Sequence, residues 1–236
     1  MGEGTYPGTE LELFAEAIRW KRYWSGHVAP AVRGAVLEVG AGIGSNTRLL
    51  LGPDVQTWVC LEPDNVLARR LARSLGTRAV QRPCHVVAGT LAALARHATF
   101  DAILYLDVLE HIVDDRTELA KAVGHLRPGG ALVILAPAHA WLFSAFDEAV
   151  GHHRRYTKAA LAAIVPPTLV TEKLIYLDSA GLVASLGNRL VLSRARPSVG
   201  QLAFWDRVLV PCSRQLDRVA RFRLGKSVLG VWRAPR

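Results

Sequence analysis

The run VLEVGAGIGSNT, from Val36 to Thr47, takes an apolar strand straight into three alternating glycines, Gly40, Gly42 and Gly44, before a helix begins. Glycine tolerates positive φ and close backbone approach, so the loop is expected to press its N–H groups against a bound group at a helix N-terminus. The spacing G-x-G-x-G differs from the G-x-G-x-x-G of dinucleotide-binding loops, where the extra residue helps to fit a pyrophosphate. Glu38, two residues before Gly40, puts a carboxylate where a phosphate would be repelled. A nucleoside with a cationic or amine-bearing tail suits this loop better than a pyrophosphate does.

Working outward, apolar runs alternate with helical patterns. Strands are expected at 34 to 39, 56 to 61, 84 to 88, 101 to 107 and 131 to 136, with helices from 44 and over 64 to 75. Such a βαβ series implies a parallel sheet with helices on both faces and right-handed crossovers. The breakers LRPGG, Leu126 to Gly130, end a helix and start the last of those strands. Upstream, apolar residues at helical spacing from Glu10 to about Val28 predict one amphipathic helix. Downstream, TLVTEKLIYLD and KSVLGVWRA read as two more strands, separated by two helices. The expected organisation is a single domain: a helical cap (1–30), a core (31–178), a helical insertion (179–224) and a last strand (225–236).

A chain of 236 residues is long enough for one well-buried domain with an appendage. Its formal charge of +9 would suit nucleic acid, an anionic membrane surface or an anionic ligand. The excess is local: the basic residues running from Arg189 to Lys226 face only Asp206 and Asp217. Cys60, Cys84 and Cys212 are odd in number and unclustered, which supports neither a disulfide framework nor a zinc site. The beginning MGEGTYPGTE lacks the basic and apolar regions of a secretory signal, and no long charge-free apolar run is present, so a soluble, cytoplasmic protein is expected.

A second signal is Glu62, at the end of the strand VCLEP and about 20 residues beyond the loop, where an acid can accept hydrogen bonds from both ribose hydroxyls. Taken in order, VLEVGAGIG, LEPD, DAILYLDVLEHI and LRPGGALVILAP resemble the class I S-adenosylmethionine-dependent methyltransferases over roughly residues 34 to 138. The resemblance implies a Rossmann-like, seven-stranded, mostly parallel sheet with an antiparallel last strand. It also implies S-adenosylmethionine as cofactor, with S-adenosylhomocysteine as product. Carried over by position, Glu38, Gly40, Ala41, Gly42 and Gly44 would hold the methionine and ribose portion, Glu62 the ribose diol, and Pro63 the adenine border. Gly89, Thr90 and Leu91 stand where many relatives carry an acid facing the adenine amino group, a pattern from which Thr90 departs. Asp107 and Val108 would lie beneath the sulfonium, with Glu110 and His111 just beyond.

The resemblance extends to a branch acting on small molecules. The segment Pro137 to Leu161 follows the strand that delivers acceptor-contacting residues, and it is rich in side chains that can act. Methyl transfer from a sulfonium is an in-line displacement, so alignment and exclusion of water are the protein's main tasks. A hydroxyl nucleophile benefits from losing a proton, which makes His139 and His152 the candidate bases. Asp147, Arg154, Arg155 and Tyr156 are the candidate acceptor-binding residues, with an internal salt-bridge network as the other use of the two arginines. Thr157 reads as a helix N-cap. His152 and His153 are adjacent and diverge, and no H-E-x-x-H pattern accompanies them, so no metal is expected.

The expected activity is methylation of a hydroxyl on a sugar, secondary metabolite or lipid-linked precursor, with N- or C-methylation and cofactor-assisted cyclisation as alternatives. No N-P-P-Y-type loop follows the fourth strand, so a nucleic-acid partner is not expected. The insertion 179–224, with Phe204 and Trp205 among basic residues, would serve as a lid, a homodimer surface or a peripheral membrane contact.

Overall fold

The computed structural model describes residues 9–76, 83–191 and 198–236. Two helices open it, α1 (Thr9–Ala15) and α2 (Ile18–Val28), where the sequence predicts one. The break has a cause far along the chain: both carboxylate oxygens of Asp206 accept backbone N–H groups, from Arg19 at 3.2 Å and Trp20 at 2.8 Å, and so start a new helix there. The chain then runs β1 (Gly34–Val39), α3 (Ser45–Leu50), β2 (Val55–Glu62), α4 (Asn65–Gly76), β3 (Cys84–Ala88), β4 (Phe100–Leu106), α5 (Asp115–Val123) and β5 (Leu126–Pro137). β5 starts earlier than expected because Leu126 already pairs with Phe100, across an irregularity that absorbs the Pro-Gly-Gly turn. After α6 (Ala145–Ala149) and α7 (Lys158–Ile164) come β6 (Val170–Leu177), α8 (Ser179–Val191), α9 (Val199–Phe204), α10 (Val210–Val219) and β7 (Ser227–Arg233). Thr157 caps α7, its hydroxyl accepting from Ala160 N–H.

The seven strands lie in the order β3-β2-β1-β4-β5-β7-β6, and β7 alone runs antiparallel to its neighbours. The order reverses between β1 and β4, which pair in register from Val36–Ala102 to Val39–Tyr105. In open α/β sheets the crevice beyond the carboxyl ends of such a strand pair is where ligands bind.

Alternate residues of each central strand enter two separate apolar layers. On one face Val36, Leu104, Val133 and Leu229 pack with Trp20, Trp24 and Trp205; on the other Leu37, Ile103 and Leu132 pack with Leu109, Leu119, Tyr156 and Trp232. Burial on both faces accounts for strands that read as continuous apolar runs.

The insertion is welded to the first face. Asp217 accepts the backbone N–H groups of Asp178 (2.8 Å) and Ser179 (2.9 Å) at the start of α8 and the Tyr23 hydroxyl at 2.8 Å. Asp178 in turn accepts from Trp205 Nε1 and from the Ser213 hydroxyl, both at 2.7 Å. Its outer side carries exposed Val183, Val199, Phe204 and Val219. Residues 192–197 of the expected insertion lie outside those described. No helix among the described residues is long and apolar enough to cross a membrane.

Candidate active site

The glycine loop leaves β1 at the reversal point, and three of its amides are used inside the protein. Ala41 N–H donates to Leu61 O (3.0 Å), Gly42 N–H to Glu62 Oε2 (2.7 Å) and Gly44 N–H to Ala41 O (2.9 Å). This departs from the expected cradle of outward-pointing amides and gives a physical reason for the missing pyrophosphate spacing: a carboxylate already fills the place of an anion. Gly40 sits at φ +68°, and a Cβ there would lie 2.7 Å from a methyl of Val108, so only glycine lets the loops after β1 and β4 meet.

Glu62 also accepts from Asp64 N–H through Oε1 at 3.0 Å. Burial raises its pKa, against the pull of the two amides. Gly89 donates its N–H to Glu62 O at 2.9 Å, which brings Gly89, Thr90 and Leu91 beside Glu62 and the exposed Pro63. Glu38 lies beneath the loop, fully buried, accepting from the Thr47 hydroxyl and from Trp58 Nε1 at 3.0 Å. Burial lifts its carboxyl to about 7 despite those bonds.

Across the crevice the backbone after β4 turns sharply, with Asp107 at φ +57°. The side chain opens onto the crevice, and desolvation by the surrounding chain raises its carboxyl to about 6. One short turn on, Glu110 is wholly buried and neither carboxylate oxygen finds a hydrogen-bond partner among the described residues. Burial, with the like charge of Asp107, pushes its pKa well above the ordinary range.

The 137–161 connection brings its polar residues to this point in an order the sequence does not display. Asp147, completely buried, receives the Ser144 N–H and hydroxyl at 2.9 Å, His152 Nδ1 at 2.8 Å, and Arg155 through Nε at 2.8 Å and Nη2 at 2.9 Å. Burial opposes its ionisation, yet these donors hold it at about 2. An ionised Asp147 so fully engaged orients its neighbours. Because a carboxylate only accepts, His152 Nδ1 must be the donor, so that in the neutral imidazole the lone pair is on Nε2, 3.8 Å from Glu110 Oε1. Arg154 and Tyr156 turn the other way, onto Asp115 at 2.8 and 2.7 Å, so the two arginines serve two separate networks. His139, whose Nε2 lies 3.0 Å from Gly225 O, stacks on Trp141 and packs against Tyr176.

These pieces surround a cavity of about 960 Å³. Its walls include Gly40 to Ile43, Asp107, Glu110, His111, His152 and Arg155. Glu62, Pro63, Gly89, Thr90 and Leu91 stand outside the cavity, on the β2–β3 side of the loop, and His139, Arg154 and Tyr156 are not among its lining residues. Phe204 and Trp205 of the expected lid line the wall, as do residues not named from sequence as site residues: Leu11, Phe14, Trp20, Lys21 and Trp24 from α1 and α2, Gly181 and Ala184 from α8, and Lys226. Burial lowers Lys21 to about 8, against the attraction of Asp107. Lys226 lies 4.2 Å above the Trp205 ring and 3.6 Å from Asp178. A lysine and tryptophans inside an amphipathic pattern look like an ordinary half-buried helix; only the order of the sheet shows which end of that helix reaches the crevice.

A family model described as a methyltransferase domain matches residues 37–132, from β1 to β5. No curated protein matches significantly. Among solved structures, the chain is similar to a Galdieria sulphuraria protein described as a sarcosine dimethylglycine methyltransferase, at 16% identity and a TM-score of 0.63, covering 92% of this chain and 86% of the other. It is similar to the N-methyltransferase NodS of Bradyrhizobium japonicum in complex with S-adenosyl-L-homocysteine, at 16% identity and a TM-score of 0.59, covering 94% and 88%. It is also similar to the [4+2]-cyclase SpnF, at 13% identity and a TM-score of 0.61, covering 92% and 81%. At these identities the likeness is one of fold.

Proposed function

We propose that this chain is a class I S-adenosylmethionine-dependent methyltransferase that transfers the methyl group to a hydroxyl of a small-molecule acceptor held in the cavity between the glycine loop and α8. The observation that carries this reading is the placement of His152, backed by ionised Asp147, in the wall of a roofed cavity that begins at Gly40 to Gly42. The volume, about 960 Å³, is of the size small-molecule pockets have, and the tryptophans of its roof exclude water.

The residues present fit the cofactor. Asp107, open to the crevice, can balance a sulfonium, with buried Glu110 one short turn beyond it, and the carboxylate of Glu62 in the loop disfavours phosphate. Glu62 would hold the ribose hydroxyls, Gly89 to Leu91 with Pro63 the adenine, and the loop from Gly40 with Asp107 and Val108 the methionine end. Bound there, the cofactor supplies an electrophilic methyl group that needs no acid to help its leaving group. The chain's own work is to orient and desolvate the acceptor and to accept its proton. His152 Nε2 is the lone pair in place for that proton. Asp147 fixes the tautomer and stabilises the imidazolium, and Arg155 keeps Asp147 ionised. His139, facing Gly225 O, positions the backbone after β5.

The test is an acceptor screen read by mass spectrometry with the purified protein. Products heavier by one methyl, formed with equimolar S-adenosylhomocysteine, support methyl transfer. An isomeric product with no cofactor consumed refutes it in favour of cyclisation, for which the fold of SpnF is a precedent.

A further inference from the structure

We infer that the acceptor end of the cavity is a binding site for a first-row divalent cation of the zinc or cobalt type, held by Glu110, His111 and His152. The inference deepens the proposed function and rests on its placing of the acceptor in this cavity. One ligand atom from each of the three residues lies within 4.8 Å of the other two, and His152 Nε2 is already 3.8 Å from Glu110 Oε1. Ligands bound at about 2.0–2.2 Å to one ion stand roughly 3 to 3.6 Å apart, so closure needs only small side-chain rotations.

Two features separate this cluster from a chance gathering of polar groups. Glu110 is fully buried, lines the cavity, and leaves both carboxylate oxygens without a hydrogen-bond partner among the described residues. A buried carboxylate so placed costs stability unless something outside the chain answers it. Both imidazoles are, moreover, oriented through Nδ1 by groups that can only accept: His152 by Asp147 at 2.8 Å and His111 by the Gly151 carbonyl at 3.2 Å. Donation from Nδ1 turns each Nε2 into a basic nitrogen of fixed direction, the outer-shell arrangement that metal-binding histidines characteristically have. The rings meet edge to face, centroids 4.7 Å apart. Two imidazoles and a carboxylate with open positions on the cavity side suit Zn²⁺ or Co²⁺ better than Mg²⁺. The absence of a metal expected from the divergence of His152 and His153 overlooked His111, which reaches the same point from a different loop. With the ion bound, His152 Nε2 is a ligand and polarisation of the acceptor oxygen passes to the cation; in the metal-free protein Nε2 is the base.

The experiment uses the full chain stripped with chelator and titrated with Co²⁺, followed by visible absorption, with Zn²⁺ as competitor. One equivalent should bind with a ligand-field band. Glu110→Gln and His111→Ala should each weaken binding about 100-fold or more, and Asp147→Asn about 10- to 100-fold. S-adenosylhomocysteine affinity, measured on the same samples, should hold in His111→Ala, which shows that the variant is folded. Weak or absent Co²⁺ binding by a protein that still binds S-adenosylhomocysteine overturns the cation site and leaves the proposed function standing. Binding that both variants retain, or binding of Mg²⁺ alone, also overturns it. Failure of the wild-type protein to bind S-adenosylhomocysteine would fall on the proposed function instead.

Discussion

Glu38→Gln should stabilise the protein, and by an amount that grows with pH. The carboxyl is fully buried, held by Thr47 and Trp58 with a longer contact from the Cys60 thiol, and has a folded pKa of about 7 against 4.5 when exposed. A raised carboxyl favours folding while it stays protonated, so the stability it allows is present at low pH. That stability is lost as pH rises from the unfolded value through the folded one. The full penalty, 2.303RT times the shift, is about 3 kcal/mol; between pH 5 and pH 8 it grows by about 2.5 kcal/mol. Glutamine keeps an acceptor for both donors and never ionises. The assay is urea unfolding of both proteins at pH 5, 6, 7 and 8, reading the difference between them so that other titrating groups cancel. The gap should widen in favour of the variant by about 2.5 kcal/mol over that range, with unchanged m-values. Parallel stability curves, or a variant that loses ground as pH rises, would show that Glu38 is ionised and well solvated by its neighbours, and would refute the reasoning.

Other expectations follow from the same contacts. Glu62→Ala should weaken S-adenosylhomocysteine binding about 10- to 100-fold by calorimetry, the worth of hydrogen bonds to a charged group; equal affinity refutes the ribose assignment. His152→Ala should lower kcat about 100-fold or more, whereas His139→Ala, outside the cavity, should change it by only about a few-fold. Reversed effects would move the proton acceptor to His139. Gly40→Ala should destabilise by about 1–3 kcal/mol through its positive φ and its collision with Val108, and Val108→Ala in the same chain should recover the collision part in thermal melts. Asp217→Ala strips acceptors from two helix-start amides and a tyrosine, and should cost about 2–4 kcal/mol by urea unfolding; a loss under 1 kcal/mol would show that water replaces the carboxylate.

How much of this was legible beforehand differs between sheet and site. The strands were readable because burial on both faces writes continuous apolar runs, and Gly40, Gly42, Gly44 and Glu62 sit at fixed distances along the chain. The floor of the crevice therefore came from sequence. Its roof did not. Asp206 and Asp217 were visible as the only acids among the arginines, but nothing local says that Asp206 caps a helix 186 residues away in sequence, or that it divides the expected N-terminal helix in two. In the 137–161 connection most of the polar residues were noted, though not Ser144, and a salt-bridge network for the arginines was one expectation, without telling which arginine takes Asp147. Arg154 and Arg155 are neighbours, yet they point to Asp115 and Asp147 on opposite sides because the chain there is extended. Glu110 and His111 read as residues beyond the sulfonium, and only three-dimensional proximity joins them to His152.

The Asp206 bond to α2 has a consequence for how the molecule comes into being. During synthesis, the strands that carry the glycine loop and Asp107 can pair once about half of the chain has emerged, since β1 and β4 meet between residues 36–39 and 102–105. Trp20 and Trp24 cannot find Trp205 until nearly the whole polypeptide has left the ribosome. A nascent or C-terminally shortened chain would thus offer a cofactor platform whose tryptophan-bearing helix is still open to water. Such a species is exposed to self-association, and the last stretch translated converts it into a molecule with an inside.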